Sequence, residues 1–274
     1  MRFVNPMGET RIGVLGEDGA ITDAGAADPR GFLPTSLGWE ALQQADGPTH
    51  QADDVKLLHP VVPEKLIGIG LNYRSHAEES ELDIPAVPVV FAKFSSSLIG
   101  PGADIVIPRE ETRPDYEGEL AVVIGRRTYR ADRDEARAAV GGIAAINDVS
   151  GRRAQLETPL RQFTLGKSFD TFSPLGPCIA SADEIDLADI DLRTTVSGEV
   201  MQDANTRDLI FSVVELIEYI SRGVTLEPGD VIATGTPSGV GDSRDPKRYL
   251  REGDTVEIYV EGVGTLSNPV RNEQ

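Results

Sequence analysis

The sequence predicts an α+β protein that is mainly β, in which a large mixed β-roll or sandwich with peripheral helices follows a small N-terminal β domain. Two observations favour this fold class. Short apolar runs rich in β-branched residues recur along the chain, whereas convincing helical spacing occurs in only three stretches. Because strands and helices do not alternate regularly, a doubly wound parallel sheet is disfavoured.

Residues 1–60 are expected to form the small β domain, and residues 61–274 the larger one. Short strand-like runs, broken by turns that contain glycine and aspartate, fill the chain up to about residue 58. Pro60 and Pro63 then punctuate the chain immediately before the apolar run Lys65–Gly70. We therefore place the domain boundary near residue 60.

The larger domain contains the remaining expected elements. Strands are predicted at its short apolar runs, which are Lys65–Gly70, Pro88–Lys93, Asp104–Ile107, Glu119–Ile124, Ile143–Ile146, Val231–Thr234 and Thr255–Val260. Helical spacing predicts helices over Arg74–Glu81, Arg133–Val140 and Thr206–Arg222. The larger domain is thus expected to consist of many short strands and few helices.

Charge and hydropathy exclude several classes of function. The chain of 274 residues carries 45 acidic and 26 basic residues, which gives a net charge of −19. Such an excess of negative charge disfavours phosphate-backbone binding, so nucleic acid is not an expected partner. No apolar run approaches the roughly 18 residues that span a bilayer, and the N-terminus lacks an apolar signal core. We expect a cytoplasmic protein with no membrane partner.

Cysteine usage agrees with that location. Cys178 is the single cysteine, so an intrachain disulfide is excluded. Its apolar, strand-like surroundings predict a buried and inert thiol.

The segment Asp115–Gly125 begins with alternating acidic residues and continues as an apolar strand. Alternation in a strand places Asp115, Glu117 and Glu119 on one face, where their carboxylates would repel one another. A dication offsets such repulsion, and all-oxygen ligation favours Mg²⁺, Mn²⁺ or Ca²⁺ over Zn²⁺. A solvated edge face explains the same pattern, and the segment alone leaves both interpretations open.

Another carboxylate closes the next apolar run. Asn147 and Asp148 follow Ile143–Ile146 and precede a polar turn. An aspartate at a strand end can reach a metal that is shared with a second strand. Aspartate is equally common as a turn residue or as a helix N-cap, so this position too has two interpretations.

His76 and Glu79 stand three residues apart in a predicted helix, where they would face one another. A carboxylate in that position orients an imidazole as a general base, although the same spacing also describes a surface ion pair. His50 and His59, in the polar stretch before the domain boundary, are expected to be structural.

Two glycine-containing segments approach nucleotide-binding motifs without completing them. Residues 166–168 read Gly-Lys-Ser, but Arg161 stands where a P-loop needs its first glycine. Residues 68–73 lack the third glycine of a dinucleotide fingerprint. The loop 234–241, rich in glycine and threonine, offers amides and hydroxyls to a carboxylate or is a purely structural turn.

Taken in order, these segments resemble the fumarylacetoacetate hydrolase superfamily over about residues 65–268, and the small N-terminal unit resembles that of bacterial members. The similar stretches are Gly70–Glu79, Phe91–Phe94, Asp115–Leu120, Asn147–Gln155, Gly166–Asp170, Gln202–Thr206 and Pro228–Gly241. Each stretch alone is a weak or moderate signal, whereas the ordered set is specific to the superfamily. It is not specific to a substrate.

The resemblance implies a metal site and a substrate contact. Glu117, Glu119 and Asp148 match the family's ligands for Mg²⁺ or Mn²⁺, with Asp115 beside them but outside the ligand set. Thr236 matches a hydroxyl of the glycine-rich loop that contacts the carboxylate of the substrate.

The resemblance also implies roles for five further side chains. His76 and Glu79 match a pair carried on a lid, in which Glu79 orients His76 to deprotonate water. Lys167 matches a cationic residue near the leaving carbanion. Arg152 and Gln155 match polar contacts to the substrate.

A homodimer that acts on a small 2-oxo acid through a metal-bound enolate is the function that the resemblance implies. The leading hypothesis is hydrolysis of a C–C bond in an acylpyruvate or fumarylpyruvate-like diketo acid. Decarboxylation of oxaloacetate and isomerisation of the 2-hydroxyhepta-2,4-diene-1,7-dioate type are alternatives, because they pass through the same kind of enolate. A noncatalytic binding protein that keeps the metal fold is a hypothesis from a different class.

Overall fold

A computed structural model describes residues 1–16, 18–183 and 185–274. Strands account for 38% of the residues and helices for 18%, and the predicted fold class is confirmed. The sheets contain both parallel and antiparallel neighbours, for example β-strand pairs 66–68 with 231–233 (parallel) and 118–124 with 140–147 (antiparallel).

The described residues form nineteen strands and six α-helices. The strands are β1 (Arg2–Val4), β2 (Thr10–Leu15), β3 (Ala20–Ala26), β4 (Thr49–Gln51), β5 (Lys56–Leu58), β6 (Leu66–Gly70), β7 (Val89–Lys93), β8 (Leu98–Ile99), β9 (Ile105–Ile107), β10 (Pro114–Asp115), β11 (Gly118–Ile124), β12 (Val140–Asn147), β13 (Ser150–Gly151), β14 (Ser173–Ala180), β15 (Asp191–Val196), β16 (Glu199–Asn205), β17 (Val231–Ala233), β18 (Thr255–Val260) and β19 (Gly264–Asn272). The helices are α1 (Ser36–Gln43), α2 (Arg74–Glu79), α3 (Arg133–Ala138), α4 (Arg152–Leu156), α5 (Phe163–Gly166) and α6 (Val213–Ser221).

The first five strands form an antiparallel sheet of their own, in the order β4-β3-β2-β1-β5. Met1, Phe3 and Ile21 fill a small apolar cluster on this sheet. The segment that follows β3 joins the larger part of the molecule, because Trp39 Nε1 donates a hydrogen bond of 2.9 Å to Gly141 O. A domain boundary at residue 60 therefore stays a prediction.

A seven-stranded mixed sheet, in the order β7-β6-β17-β11-β12-β14-β8, forms the centre of the molecule. Strand β11 is buried on both faces. Leu120 and Val122 pack into one apolar cluster, and Ala121 and Val123 pack into the other. Burial on both sides explains why β11 is a continuous apolar run and not an alternating one.

A second sheet, in the order β16-β15-β18-β19-β9, packs against one face of the central sheet. Leu192 and Ile258 of this sheet share the larger apolar cluster with Leu120 of β11. The two layers come very close at Gly118, where an added Cβ would lie 2.0 Å from Thr194 Oγ1. Only glycine fits at the start of β11 with this separation of the layers.

The predicted helix Thr206–Arg222 is wrong over its first seven residues. Residues Thr206–Asp208 form a 3-10 turn, and the α-helix begins only at Val213. The helix starts there because Ser212 caps it: Ser212 N donates to Glu215 Oε2 at 2.8 Å, and Ser212 Oγ accepts from Glu215 N at 3.4 Å. This capping box was not recognised inside the apolar periodicity.

The helices predicted at Arg74–Glu81 and Arg133–Val140 are confirmed with C-terminal ends that come two residues earlier. The prediction missed α1, α4 and α5, which have eight, five and four residues. Elements this short show too few turns for apolar periodicity. Among the described residues, no helix combines the length and the apolar character needed to cross a membrane.

The surroundings of Cys178, His50 and His59 agree with structural roles for these side chains. Cys178 is partly buried, where full burial was predicted, and burial raises the pKa of its thiol, which agrees with an inert group. His59 Nδ1 lies 2.8 Å from Val61 O, and burial lowers the pKa of the imidazole. His50 packs its ring against Phe3 at a centroid distance of 5.5 Å.

We predict that Gly141→Ala lowers the free energy of unfolding by about 1–3 kcal/mol. An added Cβ would lie 2.4 Å from Pro34 O and 2.5 Å from Gly125 Cα, so backbone atoms must move. Gly223→Ala is the control, because Gly223 has no atom within 4 Å of an added Cβ. Urea denaturation followed by circular dichroism compares the two variants. Equal midpoints would contradict the close contact at Gly141.

Candidate active site

Two adjacent strands bring together the three carboxylates that the sequence proposes as metal ligands. Gly118 of β11 pairs with Asn147 of β12. Glu117 and Glu119 flank the first of these residues and Asp148 follows the second. One oxygen from each carboxylate lies within 4.8 Å of the others, and the residues are 5%, 1% and 1% exposed. The solvated-edge interpretation is therefore wrong.

Backbone hydrogen bonds fix the separation of the carboxylates. Asp148 N donates to Glu117 O at 2.8 Å, and Glu117 N donates to Asn147 Oδ1 at 3.1 Å. Asp148 is therefore neither a free turn residue nor a helix cap, since its side chain points to the other two carboxylates.

Two lysines compensate part of this buried negative charge. Lys167 Nζ lies 2.7 Å from both Glu117 Oε2 and Asp148 Oδ2 and 2.8 Å from Ser150 Oγ. Lys93 Nζ donates to Asp148 Oδ1 and, at 2.9 Å, to Phe172 O. Burial alone would lower the pKa of Lys167, but the carboxylates of Asp148 and Glu117 raise it above its usual value.

Glu119 is the member of the three that has no ion pair among the residues that the structure describes. Its Oε2 accepts a hydrogen bond of 2.8 Å from Gly235 N. Burial and the charges of Asp148 and Glu117 raise the pKa of Glu119 well above its usual range. Glu117 differs, because Lys167 and Arg152 outweigh the effect of its burial and lower its pKa to about 2.

The donor set fits a hard divalent cation. Three carboxylates converge without a histidine or cysteine, and such all-oxygen sites suit Mg²⁺ or Mn²⁺. A cation held by Glu117, Glu119 and Asp148 would supply the positive charge that Glu119 lacks.

Asp115 lies beside the three carboxylates but belongs to a different group, as the resemblance implies. The strand predicted from Asp115 onward is interrupted, since Asp115 pairs in β10 and the next strand begins at Gly118. Asp115 accepts hydrogen bonds from Gly241 N at 2.7 Å and Asp242 N at 3.0 Å, and it lies 2.8 Å from Arg152 Nη2. The continuous strand expected from Asp115 is therefore wrong, although Asp115 and Glu117 both reach Arg152 Nη2.

Arg152 and Gln155 sit on the short helix α4 beside the carboxylates. Arg152 Nη2 lies 2.6 Å from Glu117 Oε1, and Nη1 donates to Gln155 Oε1 at 3.0 Å. Arg152 thus orients Glu117 and Asp115. The sequence did not indicate this role of Arg152. Contact of Arg152 and Gln155 with a substrate stays a prediction.

Thr236 follows β17 in the glycine-rich loop. Its Oγ1 donates to Gly118 O at 3.0 Å and accepts from Gln202 Nε2 at 2.8 Å. Gln202 Oε1 in turn accepts from Gly118 N at 3.0 Å, so both residues hold the backbone between Glu117 and Glu119. Contact of Thr236 with a substrate carboxylate stays a prediction.

His76 and Glu79 face one another on α2, with His76 Nδ1 3.3 Å from Glu79 Oε2. Their side chains are 15% and 21% exposed, so the pair is not an ordinary surface ion pair. Glu79 Oε1 also accepts a hydrogen bond of 2.8 Å from Gly239 N of the glycine-rich loop. This contact connects the pair to the loop that also carries Thr236.

One cavity of about 550 Å³ unites these groups. Seven of the nine predicted site residues line it, namely His76, Glu79, Glu117, Arg152, Gln155, Lys167 and Thr236. Glu119 and Asp148 lie deeper, next to Glu117. The rest of the wall combines apolar and polar side chains. Its apolar residues include Leu71, Leu82, Val89, Leu156 and Phe163, and its polar residues are Ser80, Glu81, Arg161, Asp242 and Ser243. The cavity therefore has a charged floor and a wall that is apolar in part.

The family described as fumarylacetoacetate (FAA) hydrolase, C-terminal, matches residues 65–271 of this chain. The chain belongs to the fumarylacetoacetate hydrolase family. Members of this family use divalent metals, and the buried carboxylates at the cavity floor are where such an ion fits.

Relatives in the fumarylacetoacetate hydrolase family are named for different reactions. A mitochondrial oxaloacetate tautomerase of Xenopus laevis is 41% identical over 95% of this chain and 86% of its own. A 2,4-didehydro-3-deoxy-L-rhamnonate hydrolase of a Sphingomonas strain is 40% identical over 96% and 93%. The crystal structure of a 2-hydroxyhepta-2,4-diene-1,7-dioate isomerase from Mycobacterium marinum has a TM-score of 0.80 at 36% identity, covering 99% of this chain and 97% of that one.

Two residues that contact the candidate site were not assigned a role from the sequence. Lys93 and Gln202 both lie in stretches that carry the resemblance, but β7 and β16 are far from β11 in the chain. Lys93 reaches Asp148 and Gln202 reaches Gly118 only through the arrangement of the sheets. A lysine that ends an apolar strand was the available signal for Lys93.

We predict that Glu119→Gln abolishes Mn²⁺ binding and raises the thermal midpoint of the metal-free protein. The raised pKa of Glu119 means that its ionisation opposes folding at neutral pH, and glutamine removes that charge while keeping an acceptor for Gly235 N. Calorimetry measures Mn²⁺ binding, and unfolding in EDTA measures the midpoint.

Glu199→Gln is the matched control, because Glu199 is exposed on β16. It should change neither quantity. Mn²⁺ affinity retained in Glu119→Gln would remove Glu119 from the ligand set.

Proposed function

We propose that this protein is a divalent-metal-dependent enzyme that hydrolyses a C–C bond in a small acylpyruvate or fumarylpyruvate-like diketo acid by way of an enolate. One observation supports this most strongly. The carboxylate floor and the His76–Glu79 pair line the same cavity, so a Lewis-acid site and a general base address one substrate.

Glu117, Glu119 and Asp148 would hold a divalent cation, which would supply Lewis acidity that stabilises a developing enolate. Arg152 orients Glu117 through the contact of 2.6 Å, and Gly235 N orients Glu119. These contacts fix the floor before a substrate arrives, as electrostatic catalysis requires.

His76 performs the proton transfer in the proposed mechanism. Its Nδ1 faces Glu79 Oε2, which leaves Nε2 as the atom that takes a proton from water. The resulting hydroxide adds to the carbonyl distal to the 2-oxo acid end. The C–C bond then breaks to give a carboxylic acid and an enolate, which is protonated to the second product.

The apolar part of the wall supports a substrate with an acyl group. Leu71, Leu82, Val89 and Phe163 line the part of the cavity beyond the charged floor. A volume of about 550 Å³ exceeds what a four-carbon acid needs, so there is room for an acyl chain.

Keto–enol tautomerisation of oxaloacetate is the second candidate, because the Xenopus laevis relative with that name is 41% identical to this chain. Isomerisation of a 2-hydroxydienedioate has similar support from the Mycobacterium marinum neighbour. His76 would then move a proton between carbon and oxygen, and no water would be consumed. Oxaloacetate decarboxylation needs the same floor but no general base that activates water.

The deciding experiment incubates the Mg²⁺-loaded and the EDTA-treated protein with acetylpyruvate and, separately, with oxaloacetate. Ultraviolet absorbance follows loss of the diketo acid and of enol-oxaloacetate, and a coupled assay follows pyruvate. Metal-dependent cleavage of acetylpyruvate is the expected result. Accelerated enol loss without pyruvate would establish the tautomerase, and pyruvate from oxaloacetate alone would establish the decarboxylase.

We predict that His76→Ala lowers kcat for hydrolysis by about 10² or more, since a general base contributes roughly 10²–10⁴. Exchange of deuterium into the methyl group of pyruvate, which forms an enolate without activating water, should fall much less. Mass spectrometry measures the exchange. Equal loss of both activities would argue against a role confined to water.

Glu79→Gln should lower hydrolysis in the same direction, because glutamine does not stabilise the protonated imidazole. The matched control is Glu78→Gln on the same helix, since Glu78 is exposed and does not line the cavity. Similar losses in the two variants would contradict the pairing of His76 with Glu79.

Two further expectations accompany this proposal. Assembly as a homodimer stays a prediction, as does a cytoplasmic location, and the Xenopus laevis relative is named as a mitochondrial protein. A small 2-oxo acid is the proposed partner molecule.

A further inference from the structure

The N-terminal end of α2, the helix that carries His76 and Glu79, is held by a residue from a distant segment. Tyr73, at the N-cap position, makes no side-chain capping bond. Instead Asp208 Oδ2 accepts hydrogen bonds from Ser75 N at 3.0 Å and Ser75 Oγ at 2.5 Å, across 133 residues of chain. Asp208 therefore does for α2 what a local N-cap side chain does for other helices.

Helix α2 needs such support, because its own interactions are few. It has six residues, and Ala77 is the one that is buried. Isolated helices of this length are unstable in water, since helix nucleation costs more than one or two turns return. The conformation of α2 therefore depends on contacts with other segments.

Neighbouring contacts connect the same two segments. Arg74 Nη1 donates to Leu209 O at 2.8 Å. Asn72 is fully buried, and it donates to Thr234 O at 2.7 Å while accepting from Phe211 N at 2.9 Å. Asn72 thus fixes the point where the chain leaves β6, and Asp208 fixes the start of α2 itself.

The other end of α2 is held by the glycine-rich loop, through the bond from Gly239 N to Glu79. That bond involves a residue of the proposed machinery, whereas Asp208 does not line the cavity. Asp208 anchors the N-terminal end of the helix at Ser75, the residue before His76. Such an anchor can set the direction of His76 without touching a substrate.

We propose that Asp208 is a positioning residue that directs His76 and Glu79 into the cavity by capping α2. The effect on catalysis rests on the proposed function, and the effect on the helix does not. Asp208→Ala removes the only acceptor for two donors of Ser75 among the described residues. Removing a capping side chain or a charge-assisted hydrogen bond destabilises a helix enough to change its opening equilibrium roughly tenfold.

The first test is hydrogen exchange of the full protein, with Mg²⁺ and oxalate present. In Asp208→Ala, exchange of the α2 amides, such as Ala77 N and Ser80 N, should become roughly tenfold faster. Exchange in β11 and β12 and the affinity for Mn²⁺ should stay unchanged. Ser75→Ala, which removes one of the two bonds, should show a smaller increase, and Ser75→Thr, which keeps the hydroxyl, should show none.

The second test is kinetic, with whichever 2-oxo acid the wild-type protein converts. Asp208→Ala should lower kcat roughly tenfold, because a misdirected His76 slows the chemical step. KM should stay within about twofold, because the floor that binds the substrate is intact. Asp203→Ala is the matched control, since the Asp203 side chain is 59% exposed and pairs with Arg193 on the surface. Asp203→Ala should match the wild type in exchange and in kcat.

The outcomes separate this inference from the proposed function. Unchanged exchange of the α2 amides in Asp208→Ala would overturn the capping role. Faster exchange throughout β11 and β12 would show that Asp208 contributes only to the stability of the whole protein, which would also overturn that role. Faster α2 exchange with unchanged kcat would overturn the positioning role. A wild-type protein that converts none of the 2-oxo acids would refute the proposed function, while the exchange data would still decide whether Asp208 caps α2.

Discussion

Three carboxylates that meet within 4.8 Å in the interior set the main constraint on this structure. Like charges that are close and buried repel strongly, so the protein must bring cationic groups and amides to the same place. Lys93 arrives from the end of β7, Lys167 from the end of α5, and Gly235 N from the loop after β17. The central sheet orders its strands so that these distant segments meet at the start of β11. One cluster of buried charge is therefore compensated by three separate parts of the chain.

Local patterns predicted part of the elements, and the resemblance to the family supplied the site residues, but neither predicted the contacts among them. Apolar runs predicted seven strands of the larger domain and missed others, such as β15 and β19. The alternating acidic segment singled out Glu117 and Glu119, which the resemblance then identified as ligands together with Asp148. The break between Asp115 and Gly118 was not predicted, since a two-residue break in the strand leaves no trace in the alternation. The helix expected from Thr206 failed because apolar spacing continued through Leu209, where the chain is extended. Gln202 contacts Gly118 across two sheets, and no local pattern reports such a contact.

The relatives bear names of a tautomerase, an isomerase and a hydrolase, and this variety has a physical basis. In the proposed mechanism all three reactions would share an enolate, whose charge the floor of the cavity would stabilise. These reactions differ in how protons and water reach the substrate from the side of the cavity opposite the carboxylates. In this protein α2 forms part of the cavity wall and is held by hydrogen bonds to Asp208 and Gly239. The floor is anchored by strands, whereas α2 is anchored by a 3-10 turn and a loop. Loops tolerate change better than central strands, so reaction type can diversify while the floor persists.

The narrow gap at Gly118 has a consequence for how this sequence can vary. Thr194 belongs to the outer sheet and does not line the cavity, yet its hydroxyl would lie 2.0 Å from any Cβ at position 118. A bulkier side chain at position 194 would press on the backbone that separates Glu117 from Glu119 and would spread the carboxylates. Substitutions in the outer sheet can thus impair the site although none of the residues of the site has changed. A survey of this gene that inspects only cavity residues would classify such variants as harmless.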